Sequence, residues 1–253
     1  MGWLAGSAAN HFFVPRKLLD TVMKTDEIRT ASVCWSCRAA TAGEHFCPAC
    51  GKIQSLPQGT DYFTFFGLPR KLRVDAAELE RRFHKLSWQL HPDNFVRAGE
   101  RERELSLERS SQLNDAYRTL GDPIRRVEYL LAQAGLRKEG QQKQQAPPEL
   151  LEEVFELNES LDELRMARKA GSSNGELADL RKRLKTEQEK FQQSMAAVDA
   201  ELEDDFGEWD AALDAGANDA LRSKLMARMN ELLNRRSYIR NLVASVRQEL
   251  AEA

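Results

Sequence analysis

Residues 75–93 read DAAELERRFHKLSWQLHPD, an amphipathic segment that runs into a proline. Its apolar residues recur at spacings of four, three and four, the pattern of one face of an α-helix: Leu79, Phe83, Leu86 and Leu90. Asp75, followed three residues later by Glu78, forms a capping box, which predicts that the helix begins there. Pro92 predicts that it has ended by His91, because proline cannot continue a helix.

Helical patterns continue on both sides of this segment. A short helix is predicted around Phe63 and Phe66, and a longer one begins near Arg101 and ends at Asp122-Pro123. The longer helix buries a stripe formed by Leu113, Ala116, Tyr117 and Leu120. Beyond a polar linker at 136–148, three apolar patterns predict long helices joined by short connections. Such helices pack as antiparallel neighbours, so residues 149–253 are predicted to form a three-helix bundle.

The second helix of this bundle carries two further expectations. Its apolar pattern fades near Gly207. The acidic run from Asp199 to Asp210 is interpreted as a solvated turn and not as a metal site.

Composition limits the classes of function. The chain of 253 residues has 37 basic and 40 acidic side chains, and its net charge of −3 gives no bulk attraction to nucleic acid. Residues 149–253 alone hold 15 basic and 23 acidic side chains, so the acidity lies in the C-terminal part. No apolar run approaches the roughly 18–20 residues that span a bilayer. Residues 1–33 show neither sustained periodicity nor a secretory signal pattern, so we expect a poorly ordered segment and a cytoplasmic protein. A transit peptide is the alternative, which the acidic residues Asp20, Asp26 and Glu27 disfavour.

All four cysteines lie in two Cys-x-x-Cys pairs with nine residues between them. Two residues between thiolates let a tight turn direct both sulfurs at one ion, and two such turns complete a tetrahedral shell. We therefore predict a module at 34–55 that holds one structural zinc through Cys34, Cys37, Cys47 and Cys50. Iron in a rubredoxin-like site and a redox dithiol are the alternatives. His45, not needed as a ligand, is expected at the surface.

The tripeptide His91-Pro92-Asp93 has two interpretations. Taken alone it is a helix stop, because proline ends a helix and aspartate favours the following turn. Here it follows a helix whose basic side chains are Arg81, Arg82 and Lys85, and it precedes a helix with a buried stripe. An aromatic pair, Tyr62-Phe63, lies upstream of the basic helix and adds to this order of segments. This order along the chain favours a functional role for the tripeptide.

At these positions the chain resembles the J domain and, more narrowly, the HscB-type co-chaperones of iron–sulfur cluster assembly. The resemblance covers roughly residues 61–250 and is carried by segments 61–68, 83–86, 91–93, 114–120, 128–131 and 156–164. A four-cysteine module before the J domain resembles the longer members of this family. The resemblance implies an all-α protein with a J-domain helical hairpin at 61–135, a linker at 136–148 and a three-helix bundle at 149–253, preceded by the small metal-binding module.

The resemblance also implies two protein partners. The J domain would stimulate ATP hydrolysis by a DnaK/HscA-class chaperone, and the residues that map onto this contact are His91, Pro92, Asp93, Arg81, Arg82 and Lys85. The bundle would bind the scaffold protein on which iron–sulfur clusters are built, through Leu150, Leu151, Phe155, Glu156, Glu159, Glu163 and Tyr238. The chain departs from the family at Glu152, where an apolar contact is expected, and at Asn94, where lysine often follows the tripeptide.

Structural alternatives remain open for both surfaces. The basic residues could be an ordinary solvated face, and Leu150, Leu151 and Phe155 could belong to the bundle core. The register of the first bundle helix leaves Leu151 and Phe155 on its flank, as an amphipathic partner site would.

The sequence contains no phosphate-binding glycine loop, nucleophile motif or paired catalytic carboxylates, which favours a co-chaperone over an enzyme. A metal or redox carrier that uses the four cysteines is the alternative function. A zinc-ribbon nucleic-acid binder is disfavoured, because Arg38 and Lys52 are the basic residues near the cysteines.

Overall fold

The computed structural model describes residues 32–137 and 148–251, so the expectations for 1–31 and for most of the linker lie outside the described residues. Within these two ranges, two short strands and seven α-helices follow one another: β1 (Ser32–Val33), β2 (Ala40–Thr41), α1 (Tyr62–Phe66), α2 (Ala76–Leu90), α3 (Glu100–Gly121), α4 (Pro123–Gln133), α5 (Leu151–Ala170), α6 (Asn174–Asp214) and α7 (Asp219–Ala251). Short 3-10 turns at Pro92–Phe95 and Pro148–Leu150 precede α3 and α5. The prediction of an all-α protein with a J-domain hairpin, a three-helix bundle and a small cysteine module is confirmed.

The J domain is an antiparallel pair, α2 and α3, closed by the short helices α1 and α4. Aspartates at 61, 75 and 122 accept backbone amides of the first turns of α1, α2 and α4, which fixes where each helix begins. The expected capping at Asp75 is therefore confirmed. Phe83 and Tyr117 stack with ring centroids 4.2 Å apart and join the facing helices. The core between the helices consists of Phe63, Phe65, Phe66, Leu79, Leu90, Leu105, Leu113, Ala116 and Leu120.

The C-terminal bundle consists of α5, α6 and α7, as the periodicity predicts. Turns at Gly171 and Gly216, both in the left-handed region with φ of 70° and 60°, reverse the chain between successive helices. α5 and α7 therefore run parallel to each other, with α6 antiparallel to both. The buried side chains that line the bundle axis include Leu157, Leu161, Leu164, Leu184, Phe191, Val198, Met226, Met229, Ile239 and Val246.

The interpretation of Asp199 to Asp210 as a solvated turn is wrong, and α6 does not fade at Gly207 but continues to Asp214. The J domain packs against this part of α6. The Asp210 carboxylate accepts the backbone amides of Leu72 at 2.7 Å and Arg73 at 3.0 Å. A Cβ at position 207 would lie 2.9 Å from the Arg73 guanidinium, so the glycine permits this close approach. These contacts outweigh the low helix propensity of glycine, which costs about 1 kcal/mol.

Further contacts make the J domain and the bundle one continuous body. Leu72, in the loop between α1 and α2, is fully buried in the bundle core. The Trp209 indole donates to the Arg70 carbonyl at 3.0 Å. Arg126 of α4 is buried and donates to the carbonyls of Leu120 and Leu72. Over residues 32–137 and 148–251, the structure contains no helix with the length and apolar character needed to cross a membrane.

Candidate functional sites

The four cysteines meet in one cluster. Their Sγ atoms all lie within 4.8 Å of one another, with 3.7 Å between Cys34 and Cys50 and 3.6 Å between Cys37 and Cys47. A tetrahedral ion with metal–sulfur bonds of about 2.3 Å separates its ligands by about 3.8 Å. A disulfide would instead bring two sulfurs to about 2.05 Å. The donor set therefore fits a four-thiolate metal site.

The thiols of this cluster differ in acidity. Burial raises the pKa of Cys34, but the amides of Cys37 and Ser36, each 3.4 Å from its sulfur, outweigh burial and lower the pKa to about 6. At Cys50 the Lys52 amide lowers the pKa, whereas desolvation and the three neighbouring thiols raise it to about 12. A metal ion that binds all four sulfurs as thiolates would therefore displace a proton from Cys50.

The cysteine module is fixed to the J domain by contacts from Trp35, inside the first cysteine pair, and from Lys52 and Ile53, just after the second pair. Trp35 donates its indole N–H to the Ile53 carbonyl at 2.7 Å, and Ile53 is fully buried in the J-domain core. Lys52 pairs with Glu102 of α3 at 2.8 Å. Lys52 and Arg101 lie over the Trp35 ring, 5.2 and 4.7 Å from its centre. The position of the module relative to α3 is thus set by both apolar and charged contacts.

His45 is not a surface residue, contrary to expectation. Its ring packs edge-on against Phe65 with centroids 4.6 Å apart, and Nε2 lies 2.9 Å from the Phe65 carbonyl. A carbonyl only accepts, so Nε2 carries the proton. Burial, opposed by this hydrogen bond and assisted by the Arg109 charge, lowers the pKa of His45. The sequence gives no signal for this position, because the loop between the cysteine pairs folds back onto α1.

Side-chain hydrogen bonds fix the backbone at the end of α2, just before the tripeptide. The Leu90 carbonyl accepts the hydroxyls of Ser106 at 2.7 Å and Ser110 at 3.0 Å, and the Trp88 carbonyl accepts the Asn94 amide at 2.6 Å. These bonds satisfy carbonyls that a helix end leaves without partners. Sequence reasoning missed these two serines and treated Asn94 only as a departure from the family.

The side chains of the tripeptide face outward. Those of His91 and Asp93 are 56% and 84% exposed, whereas Pro92 is half-buried. The Asp93 amide donates to His91 Nδ1 at 3.3 Å, so the neutral imidazole carries its proton on Nε2.

The three basic side chains of α2 are not equivalent. Arg81 and Arg82 both bond to Glu78, at 2.5 and 2.6 Å. Arg82 also donates to the Phe66 and Gly67 carbonyls, at 2.8 and 2.6 Å, and so closes the C-terminal end of α1. Lys85 is exposed and forms no ion pair with any other residue that the structure describes.

The candidate scaffold-binding residues divide into exposed and buried ones. Leu151 and Phe155 are 54% and 71% exposed, so they are not bundle core. Leu150 is only 4% exposed and packs in the core, where it cannot contact a partner without rearrangement. Tyr238 is half-buried against the same core. The carboxylates that flank this apolar pair on α5 are all exposed: Glu156, Glu159 and Glu163.

Helix geometry brings Tyr238 to the level of the exposed pair. Arg165 of α5 bonds to Glu249 of α7, 84 residues further along the chain. Parallel helices rise equally per residue, so Tyr238 lies level with Val154, next to Phe155. Met166 is 68% exposed and follows Phe155 by three helical turns, which places it on the same face. The spacing of apolar residues alone did not single out Met166.

Comparisons with known proteins agree with this geometry. No protein-family model matches the chain. A Vibrio vulnificus (strain YJ016) protein named "Co-chaperone protein HscB homolog" is 38% identical over 154 residues, which are 61% of this chain and 85% of that protein. A protein of the same name from Vibrio parahaemolyticus is 36% identical over 156 residues, again 61% and 85%. The crystal structure of human co-chaperone protein HscB shares the fold, with a TM-score of 0.55 and 24% identity over 86% of this chain and 98% of that one. At 38% identity over most of a relative's length, this chain belongs to the HscB family of co-chaperones.

Proposed function

We propose that this chain is a cytoplasmic J-type co-chaperone of iron–sulfur cluster assembly. In this proposal it stimulates ATP hydrolysis by a DnaK/HscA-class chaperone and delivers to it the scaffold protein on which clusters are built. The observation that carries the proposal is the exposed His91 and Asp93 pair on a hydrogen-bonded backbone, in a chain of the HscB family. The partner performs the hydrolysis, and this chain contributes contacts that change the partner's conformation.

The tripeptide is suited to short, directional contacts. His91 Nε2 offers a proton to an acceptor on the chaperone, and the Asp93 carboxylate accepts from a donor there. Because Ser106, Ser110 and Asn94 already hold the backbone, little conformational entropy is lost when these bonds form. Arg81 and Lys85 on the preceding turns supply the positive charge that steers an acidic partner surface.

The exposed face of α5 is the proposed scaffold site. Leu151 and Phe155 offer apolar area to a partner, and three glutamates surround them. An apolar centre with a charged rim is the usual composition of a specific protein interface. A scaffold that binds here would present an apolar depression with basic residues around it.

We propose zinc as the metal of the cysteine cluster. Cys34, Cys37, Cys47 and Cys50 would hold it, and a closed four-thiolate shell has no open position for catalysis. The metal would stabilise the module and leave the chemistry to the chaperone. Iron in the same site would give visible absorption in the purified protein, and metal analysis distinguishes the two.

The decisive experiment compares His91→Gln and Asp93→Asn with the wild-type chain in a single-turnover ATPase assay of the chaperone. Both side chains are exposed, so stability is expected to change by less than about 0.5 kcal/mol. Stimulation should be lost while the affinity for the scaffold stays unchanged. A His91→Gln chain that stimulates as well as wild type would refute the proposed function.

A further inference from the structure

A cleft of about 690 Å³ lies between the cysteine module and α2. One wall is the loop between the cysteine pairs, with Glu44 and His45, and the other is the basic side of α2, with Arg81, Arg82 and Lys85. Gln89 lines the same cleft two residues before His91. The cleft therefore runs along the basic residues of α2 toward the end of the helix that precedes the tripeptide.

Both walls are fixed to the same short helix. His45 donates to the Phe65 carbonyl at 2.9 Å, and Arg82 donates to the next two carbonyls, those of Phe66 and Gly67. Three consecutive carbonyls at the end of α1 thus set the distance between the module and α2. The cleft exists before any partner arrives, which reduces the conformational cost of binding.

The charges in the cleft favour an anionic occupant. Glu78 already neutralises part of the charge on Arg81 and Arg82, through bonds of 2.5 and 2.6 Å. The ammonium of Lys85 has no such counter-ion among residues 32–137 and 148–251. Glu44 is exposed on the opposite wall, and its negative charge reduces the attraction of the cleft for an anion. A carboxylate entering from a partner would pair with Lys85 and with the free side of Arg81.

We propose that the cysteine module forms the second wall of the chaperone-docking groove, and that a carboxylate-bearing segment of the chaperone ATPase lies between loop 43–45 and α2. This inference rests on the proposed function and assigns the module a part in it. Metal binding would then contribute to docking indirectly, because the cysteine pairs hold both ends of the loop that carries Glu44 and His45.

The first test reverses the charge of the module wall. Glu44→Lys replaces an opposing charge with an attractive one, and we expect the chain to bind an ATP-loaded DnaK-class chaperone about three- to ten-fold more tightly at low salt. The matched control is Glu189→Lys, an equally exposed charge reversal on α6. Glu189 is far from the cleft, because it lies sixteen residues, roughly 24 Å along α6, from Asp205 and the part of the helix that contacts the J domain. An equal effect of both variants, or no effect of either, would overturn the proposal.

The second test removes the hydrogen bond that holds loop 43–45 against α1. His45→Ala removes the bond to Phe65, so chaperone affinity should fall several-fold while zinc content and scaffold affinity stay at wild-type values. Unchanged affinity in a folded, zinc-loaded His45→Ala chain would overturn the proposal. If that variant loses its metal or its fold, the exposed Glu44→Lys variant decides. The proposed function is tested separately, because His91 lies outside the cleft wall and His91→Gln reports on ATPase stimulation.

Discussion

The two candidate docking surfaces of this chain are built in opposite ways. At the end of α2 the exposed groups are polar, His91 and Asp93, and the backbone beneath them is held by three side-chain hydrogen bonds. On α5 the exposed groups are apolar, Leu151 and Phe155, and a regular helix carries them. The first surface depends on the direction of a few bonds, and the second on the area that a partner covers.

This difference predicts different responses to substitution. A surface of directional bonds should lose its effect on the partner when one group changes, with little change in affinity. An apolar surface should lose affinity in proportion to the area removed. The cysteine module shares a cleft with the preceding part of α2, so its variants offer a way to affect the chaperone contact without the scaffold contact.

The largest expected effect is the removal of a metal ligand. Cys34→Ser and Cys50→Ser should each release the metal, which we propose to be zinc, because each variant leaves three thiolates to hold it. For structural zinc the apparent binding free energy is about 10–16 kcal/mol and is also folding energy, so losing the ion should unfold the module. Residues 34–55 should become sensitive to protease while 61–250 stay folded. Chaperone affinity should fall and scaffold affinity should not, as measured by metal analysis, limited proteolysis and calorimetry. Full zinc content in both variants would contradict the four-thiolate site.

The next effect separates core from surface within α5. Leu157 is fully buried, and Leu157→Ala should lower the free energy of unfolding by about 2–5 kcal/mol. Phe155→Ala, Leu151→Ala and Tyr238→Ala should each cost about 1–3 kcal/mol of scaffold binding. The exposed Phe155 should change stability by less than about 0.5 kcal/mol. Urea unfolding and titration with the scaffold measure the two quantities. If losses of stability and binding rise together across all four variants, the substitutions weaken binding through the fold and not through a direct contact with the scaffold.

A third prediction asks whether both surfaces belong to one rigid body. Asp210→Ala removes the acceptor of the Leu72 and Arg73 amides between the J domain and α6. Leaving these groups unpaired should cost about 1–3 kcal/mol of stability. Asp204→Ala, at an exposed position of the same helix, should stay within about 0.5 kcal/mol of wild type. Equal stability of the two variants in urea unfolding would show that the two Asp210 hydrogen bonds contribute nothing to the junction.

Local patterns were sufficient for most of the helices and for the cysteine cluster, but not for the C-terminal part of α6. The capping at Asp75 and the stripe from Leu79 to Leu90 placed α2 correctly, because these signals act within one helix. The two Cys-x-x-Cys pairs likewise carry their own turn geometry. Apolar periodicity also placed Leu151 and Phe155 on the flank of α5.

Contacts between distant segments could not be predicted in the same way. Gly207 and the acids around it resemble a turn until the J domain packs against α6 and takes up their hydrogen-bonding capacity. A local interpretation places His45 in solvent, and it is half-buried because the module folds onto α1. The sequence pattern allows Leu150 to be either a scaffold contact or a core residue, and only its packing against the other bundle residues shows that it is buried. In each case the deciding contact lies far away in the sequence.

The smallest expected effect distinguishes two basic residues of α2, Lys85 and Arg82, which precede the first surface along the helix. Lys85 forms no ion pair in the part of the chain that the structure describes, so Lys85→Glu should leave stability within about 0.5 kcal/mol of wild type. It should still weaken ATPase stimulation several-fold at low salt, and less at high salt where charges are screened.

Arg82→Glu reverses a charge in the same way and also removes the bonds to Glu78 and to the Phe66 and Gly67 carbonyls, so it should additionally cost at least about 1 kcal/mol of stability. Thermal unfolding beside an ATPase titration at two salt concentrations measures both effects. Equal stability of Lys85→Glu and Arg82→Glu would mean that Arg82 does not brace α1, and the rigid spacing of the cleft would lose one of its two supports.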